Sequence, residues 1–390
     1  MIIATDVSIV QGPTVNLVTN NSAVIFWRTD GPTNATIEFG LSLGNLDQSV
    51  SNSTFTTEHM LTLTGLSAGT RYYYRVVSNG TASETYNFKT APPDGSPFKL
   101  IVMGDNRPDG DTAPVQPPVF EQIIDTVIAE DPDIVVMTGD YIYSLTDDEA
   151  MDALIWEHFT NITDRLGHYV PIYAVIGNHD VRTPLGIRND KYFLDAFVLP
   201  DEPRTYSSFD FAGVHFVLLD TEESDYESRI AGEQWDWLVS DLTAAGNKMK
   251  FVFAHRPLYP LRHINSALDI NKSERAMLQQ LLEDTNVTMF AAGHDHLYNR
   301  LTVNGVVHII TGGAGAPLYA TPWGGDFYHY VRVEVAPDSV NITAVSPDGS
   351  DIETYSLPDR GPIEIEVRVY ANNSRIREGT KPEFYFSKVP

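Results

Sequence analysis

Two kinds of patterning divide the chain. Over residues 1–92, short segments such as AVIFWRT, ATIEFG, HMLTLTGL, RYYYRVVS and TYNFKT alternate apolar and polar positions, with polar or glycine-containing turns between them. Alternation of period two puts one face in a core and the other in water. These segments therefore predict strands of a small antiparallel β-sandwich. Trp27 is expected in its core, and Tyr72, Tyr73 and Tyr74 in core and inter-domain packing rather than in a ligand site. APPDGSP is a run of breakers and predicts a linker, placed at residues 93–97.

The pattern changes over residues 98–358. FKLIVMGD is a continuous apolar strand, followed by PPVFEQIIDTVIAEDPD, where Phe120, Ile123, Ile124, Val127 and Ile128 keep helical spacing behind a proline start. DIVVMTGD, PIYAVIGNHD, VHFVLLD, KFVFAHRP, VTMFAAGHDH and VVHIITGG come next, with helical stretches near 150–166, 231–245 and 273–284. Strands apolar on both faces, alternating with helices, predict an α/β domain whose sheets are covered. YVRVEVAPDSVNITAVSPDGSDIETYSL returns to hairpin-like alternation, and residues 359–390 add two further strand candidates, read as a β-rich extension.

Length fits two or three domains, since 390 residues exceed one ordinary core. Asp and Glu outnumber Lys and Arg by 52 to 26, a formal net charge of -26. That field repels nucleic acid and anionic lipid, so no nucleic-acid binding is expected. It would repel small phosphates too, unless one site concentrates positive charge. The absence of cysteine excludes disulfides, thiolate metal sites and cysteine nucleophiles. No apolar run is long enough to span a bilayer, and MIIATDVSIV does not resemble a signal peptide, although a processed chain would look the same. Asn-x-Ser/Thr sequons stand at Asn20, Asn34, Asn52, Asn79, Asn161, Asn271, Asn286, Asn341 and Asn372. Composition alone gives about three, so a secreted or cell-surface protein is expected, against the plainer reading of a Thr- and Asn-rich β surface.

In the α/β region, polar residues gather where strands end. Asp105, Asp140, the pair Asn178 and His179, His255, and the pair His294 and His296 each follow an apolar strand. Open α/β sheets build sites at the carboxyl ends of strands, so these loops can converge. A glycine precedes Asp105, Asp140, Asn178 and His294, which suits tight turns beside a site that tolerates no bulk. Carboxylate and amide oxygens with imidazoles suit divalent or trivalent transition metals and are too nitrogen-rich for calcium. A lone GD is usually a turn. The whole series in order, each member at a strand end, points to a metal site.

GDNR, GDYIY, GNHD, AHRPLY and GHDHLY resemble the ordered motifs of the binuclear metallophosphoesterases. More narrowly, residues 10–358 are similar to the purple acid phosphatases, with LTGLSAGTRYYYRV and FKTAPP resembling a fibronectin type III domain. The resemblance implies a multidomain chain. A fibronectin III-like all-β sandwich would be followed by an α/β metallophosphoesterase domain, two β-sheets sandwiched between helices, and a short β-rich extension. It implies two metal ions, Fe(III) with a divalent Fe, Zn or Mn. Asp140 would bridge them, Asn178, His255 and His294 would complete the second, and Asp105, His296 and Tyr143 would bind the first. His179 is the candidate acid or phosphate contact, with a role in holding the Asn178 loop as its alternative, while Asp180 would orient that imidazole or cap the next segment. His263 lies where the family often has a phosphate-contacting histidine, and a solvated loop residue fits it equally.

The first motif departs from the superfamily, where Asp-x-His is usual. Arg107 stands at the third position and cannot ligate a metal because it stays protonated. The purple branch has glycine there and relies on the tyrosine. Arg107 is a candidate to clamp a phosphate oxygen, or else to pair with Asp109 or Asp111. The expected substrate is a small phosphomonoester. A phosphodiesterase or nucleotide hydrolase with the same centre is the alternative, and a non-catalytic cell-surface binding protein is disfavoured by the intact residue set.

Overall fold

A 19-residue strand organises the N-terminal region. The computed structural model describes residues 7–110, 115–322 and 325–357, so the extension expected at 359–390, Asp111 and Asn372 lie outside the described residues. The first strands are β1 (Ile9–Asn16), β2 (Ser22–Gly40), β3 (Gln48–Thr64), β4 (Arg71–Ser78), β5 (Thr81–Ala82) and β6 (Tyr86–Lys89). AVIFWRT and ATIEFG, expected as two strands, are one: β2 runs through Asp30–Gly31–Pro32, where its register with β3 shifts. The turn-forming residues are absorbed as an irregularity rather than a reversal. β3 is longer than HMLTLTGL because its first half is polar and exposed on both faces, which leaves no alternation to read.

β1 flanks the first half of β2 and β4 the second half. All six strands are therefore linked in one hydrogen-bonded sheet rather than two separate ones. It encloses Val15, Ile25, Trp27, Ile37, Tyr74 and Phe88. Trp27 fills that core as expected, and its Nε1 donates to Ser78 Oγ at 2.9 Å, which meets the one polar demand of a buried indole.

The α/β region contains β7 (Phe98–Met103), α1 (Pro118–Glu130), β8 (Ile134–Met137), α2 (Glu149–Gly167), β9 (Ile172–Ala174), α3 (Asn178–Val181) and α4 (Lys191–Ala196). There follow β10 (Ser207–Phe211), β11 (Val214–Leu218), α5 (Gly232–Ala244), β12 (Lys250–Ala254), α6 (Lys272–Asp284) and β13 (Met289–Ala292). The last strands are β14 (Tyr298–Val303), β15 (Val306–Thr311), β16 (Tyr330–Ala336), β17 (Ser339–Val345) and β18 (Asp351–Leu357).

Two six-stranded sheets result, ordered β18-β17-β16-β7-β8-β9 and β10-β11-β12-β13-β15-β14. Strands β7, β8 and β9 are parallel, as are β11, β12, β13 and β15. Side chains alternate across each strand, and both faces are apolar. Leu100, Val102 and Val136 meet Phe216, Phe251, Phe253 and Met289 between the sheets. Ile101, Met103, Val135 and Met137 face α1 and α2, while Val217, Val252 and Phe290 face α5 and α6. This helix–sheet–sheet–helix layering requires strands apolar on both sides. Among the described residues, no helix is long and apolar enough to cross a membrane.

The two regions meet at the end of α2. The Tyr74 hydroxyl donates to the His168 carbonyl at 3.0 Å, Tyr86 stacks on His168 at 4.0 Å, and the Gly12 N–H donates to Asp164 Oδ2 at 2.7 Å. Burial lifts the Asp164 carboxyl from 3.8 to about 7, outweighing the Gly12 N–H and Arg28. The folded state therefore holds a proton that the unfolded chain releases near pH 4, so stability from this group falls as pH rises through that window to about 7. Asp164→Asn keeps an acceptor for Gly12 and cannot ionise. Urea midpoints measured from pH 4 to 7 should fall for the wild type, while the variant gains relative stability of a few kcal/mol at the upper end, by order of magnitude.

Candidate metal centre

The site is assembled from turns at the carboxyl ends of β7, β8, β9, β12 and β13. Asp105, Asp140 and His294 all adopt left-handed backbone, with φ of 57°, 59° and 68°. Such geometry costs a non-glycine residue roughly 1–3 kcal/mol, so three cases in one site indicate backbone held by its surroundings. Glycines in the site's turns leave the room this needs. A Cβ on Gly293 would collide with Asp105 Oδ2, one on Gly177 with Asp140, and one on Gly139 would come to 2.8 Å from His255 Nδ1.

Backbone hydrogen bonds fix the turns to one another. The Asp105 N–H donates to Gly139 O at 2.9 Å, and the His294 N–H donates to Asp105 Oδ2 at 2.9 Å, which ties the two sheets together. Asp180 accepts from the N–H groups of Gly177, Asp140 and Tyr141 at 2.8, 3.0 and 2.7 Å. Its function is to bind the second and third turns. It does not orient the His179 ring, whose Nδ1 instead donates to the Tyr143 carbonyl.

The imidazoles are aimed by carbonyls. His255 Nδ1 donates to Thr138 O at 2.9 Å, and His296 Nδ1 donates to Pro317 O at 2.8 Å. A carbonyl only accepts, so each ring turns an Nε2 lone pair inward. Around His255 Nε2 lie Asn178 Oδ1 at 3.1 Å, His294 Nδ1 at 3.2 Å and Asp140 Oδ1 at 3.3 Å. Only the His294 nitrogen could supply a proton to these acceptors. His296 Nε2 lies 3.5 Å from Asp105 Oδ1. Oxygens of Asp105 and Asp140 and a nitrogen of His255 all fall within 4.8 Å of one another.

Electrostatics reinforce the geometry. Burial lifts the Asp105 carboxyl well above its ordinary range, and the Asp140 charge lifts it further. Burial also opposes ionisation of Asp140, but His255, His179 and Arg107 outweigh it and hold that carboxyl below its usual value. Burial, then Arg107, lowers His296 to about 4, and burial drives His294 well down. Carboxylates and imidazoles packed this closely fit a bound multivalent cation, and the donor set suits first-row transition ions.

Arg107 is 6% exposed, with Nε 3.6 Å from Asp140 Oδ2 and its guanidinium 5.2 Å over the Tyr143 ring. Its carboxylate neighbour is thus Asp140, not Asp109. Tyr143 stands beside the cluster, and among the described residues its hydroxyl makes no hydrogen bond. A cavity of about 620 Å³ opens over the site, lined by Arg107, Asp140, Asn178, His179, His263, His294 and His296. His263 forms part of its wall, 4.3 Å ring to ring from His294, with Nδ1 held by Asp295 at 2.7 Å.

Sequence reasoning passed over several neighbours. Asp295, between the two histidines of GHDH, also accepts from the N–H groups of Leu261 and Arg262. Arg256 pairs with Glu222 through two contacts of 2.6 Å and donates to Ser266 O at 2.7 Å. Only the position of Arg256 directly after His255 hinted at this.

The sequence pattern of the calcineurin-like phosphoesterases matches residues 98–298, and that of the purple acid phosphatase N-terminal domain matches 10–90. Purple acid phosphatase 22 of Arabidopsis thaliana is 25% identical over 75% of this chain and 68% of its own length. Purple acid phosphatase 23 of the same plant is 26% identical over 72% of this chain and 65% of its own. Acid phosphatase type 7 of Homo sapiens is 24% identical over 84% and 85%. In fold, a purple acid phosphatase from yellow lupin (Lupinus luteus) seeds superposes with a TM-score of 0.73 at 19% identity, covering 89% of this chain and 74% of that one. PhoD gives 0.69 at 14% identity, covering 91% and 92%.

Fold, site and relatives together define a metal-dependent phosphoester hydrolase. The chain belongs to the calcineurin-like phosphoesterase family, and joins that domain to a purple acid phosphatase N-terminal domain.

Gly293→Ala tests the packing of the turns. Its Cβ should displace the Asp105 carboxylate and lower metal affinity by roughly 10–100-fold, as for loss of a partner that orients a ligand. Elemental analysis against Gly44→Ala, whose Cβ meets nothing within 4 Å, reads this directly.

Proposed function

We propose that the chain is a purple-acid-phosphatase-like phosphomonoesterase with a binuclear centre. The observation that carries this is the convergence of His255 Nε2, Asn178 Oδ1, Asp140 and His294 Nδ1, beside a second carboxylate–imidazole pair, Asp105 and His296. Asp140 lies between the two groups and is assigned the bridge. Asn178, His255 and His294 are assigned to the second ion, and Asp105, His296 and Tyr143 to the first. A tyrosine oxygen in the ligand set suits a hard Fe(III) ion, assigned here with a divalent Fe, Zn or Mn as its partner. When bound, the two ions supply an activated water and neutralise phosphoryl oxygens for in-line displacement.

The chain's own groups orient the ester and manage its proton. His179, with Nδ1 fixed on Tyr143 O, places Nε2 3.9 Å from Asp140 Oδ2 on the cavity wall. There it can bind the phosphate or protonate the leaving oxygen. Arg107 and His263 are assigned to hold phosphoryl oxygens. The N-terminal sheet is read as fibronectin III-like, and the exposed sequons at Asn20, Asn34 and Asn52 support a secreted glycoprotein.

Metal-loaded protein should hydrolyse aryl phosphate monoesters faster than aryl diesters. A loaded protein inert toward every phosphoester would sink the proposal. Asn178→Ala should lower occupancy of the second ion, whereas His179→Ala should keep both ions and slow turnover by about 10²–10⁴-fold. Metal loss in the histidine variant would show its role to be structural.

Colour gives a separate test. A visible absorption band that disappears in Tyr143→Phe would establish a phenolate–iron ligand. An active but colourless protein would remove iron and leave hydrolysis standing.

A further inference from the structure

The cations around the cavity are not equally committed. In a chain with 52 acidic and 26 basic side chains, arginines find carboxylates easily. Arg256 is held by both Glu222 and Glu227 on the wall, and Arg188 is held by Asp190 and by Asp220 at 2.8 Å. Arg107 lies against Asp140. Among the described residues, the arginines without a carboxylate partner are Arg182, Arg262 and Arg275. Of these three, Arg182 lines the catalytic cavity, and Arg262 directly precedes the lining residue His263 and lies against the lining residue Tyr319.

Arg182 is exposed and lines the cavity three residues after His179, its carbonyl accepting from the Leu145 N–H at 3.0 Å. Arg262 is exposed on the other loop, directly before His263, with its N–H held by Asp295 at 2.8 Å. Its guanidinium lies 5.9 Å from the ring of Tyr319, a cavity residue that stacks on His296 at 4.2 Å. Each backbone is therefore fixed by the turns of the site, while each charge is left uncompensated at the outer end. Interior charges are consumed by the protein, and the outer two are available to a ligand.

We propose that Arg182 and Arg262 form a leaving-group subsite, and that the substrate is a phosphomonoester whose leaving group carries an anion of its own, a second phosphate or a carboxylate. This deepens the phosphomonoesterase reading and rests on it. Water attacks the terminal phosphorus, the ester or anhydride P–O bond breaks, and the anionic leaving group departs after protonation. The two guanidiniums raise the local concentration of such substrates within an otherwise repulsive acidic field.

The test compares an aryl phosphate, a nucleoside diphosphate and 2-phosphoglycolate on the metal-loaded enzyme, with Arg182→Ala, Arg262→Ala and the control Arg275→Ala. Arg275 lies over Tyr259, and unlike Arg182 and Arg262 it neither lines the cavity nor packs on a lining ring. Each mouth variant should raise KM for the two anionic substrates by about 10-fold or more, as expected for a lost contact to a charged group, with kcat held within about twofold. The aryl phosphate should be unaffected, and added salt should raise KM more steeply for the wild type than for the variants. A response to the diphosphate alone assigns the anion as phosphate, and a response to both assigns any anion. Equal effects on all three substrates, or none on the anionic pair, overturn the subsite while the aryl phosphate still reports the hydrolase. If the wild type turns over no aryl phosphate, the hydrolase reading itself falls.

Discussion

Two buried carboxylates, Asp105 and Asp140, close the ends of adjacent parallel strands, and the rest of the site follows from that juxtaposition. Burial works against the ionisation of both and the Asp140 charge works further against that of Asp105, while His255, His179 and Arg107 hold Asp140 below its usual value. An isolated pair of this kind would protonate or pull water into the core. What surrounds it is a ring of imidazole lone pairs and an amide oxygen, with two of the rings fixed from behind by carbonyls. Such an arrangement is unfavourable as a set of neutral acceptors and favourable around positive charge. The folded chain therefore holds a place for cations in the same act as it closes its two sheets.

The glycines and the left-handed turns belong to the same constraint. For the carboxylates to approach the imidazoles, the turns must pass within contact distance of one another, and a methyl group at Gly177 or Gly293 would occupy space that Asp140 and Asp105 use. Backbone strain at Asp105, Asp140 and His294 is held by hydrogen bonds that cross between turns, chiefly through Asp180 and through the His294 N–H. Strain and rigidity here have one cause.

Much of this was legible because each strand announces itself by apolar residues on both faces and each site residue sits at a strand end after glycine. GD, GNHD and GHDH could be placed in order without knowing which strands pair. Less visible were features that depend on partners far along the chain. Asp180 reads as a cap in sequence, yet it binds N–H groups 39 and 40 residues away. Arg256 and Glu222 form a buried pair across 34 residues, with no local pattern to reveal it. In the N-terminal sheet, the long β2 was misread as two strands because Asp30–Gly31–Pro32 carries turn chemistry, which strand pairing on both sides overrides. The polar half of β3 was invisible since burial, the source of alternation, is absent there.

Charge distribution links the whole molecule to its site. An acidic protein concentrates few free cations anywhere, and the network from Arg188 through Asp220 and Glu222 to Arg256 shows how interior cations are consumed as struts. That chain of contacts joins the loop carrying Arg182 to the segment carrying His263, because Arg256 also holds Ser266 O. Both walls of the cavity are thus braced by paired charges, while the unpaired Arg182 lies on its lining and Arg262 beside the lining residue Tyr319. Buried pairs of this kind contribute little net stability but fix geometry when every donor and acceptor is used. The reach of the cavity toward an anionic leaving group is consequently set by two loops whose positions are determined by ion pairs well behind the reacting atoms.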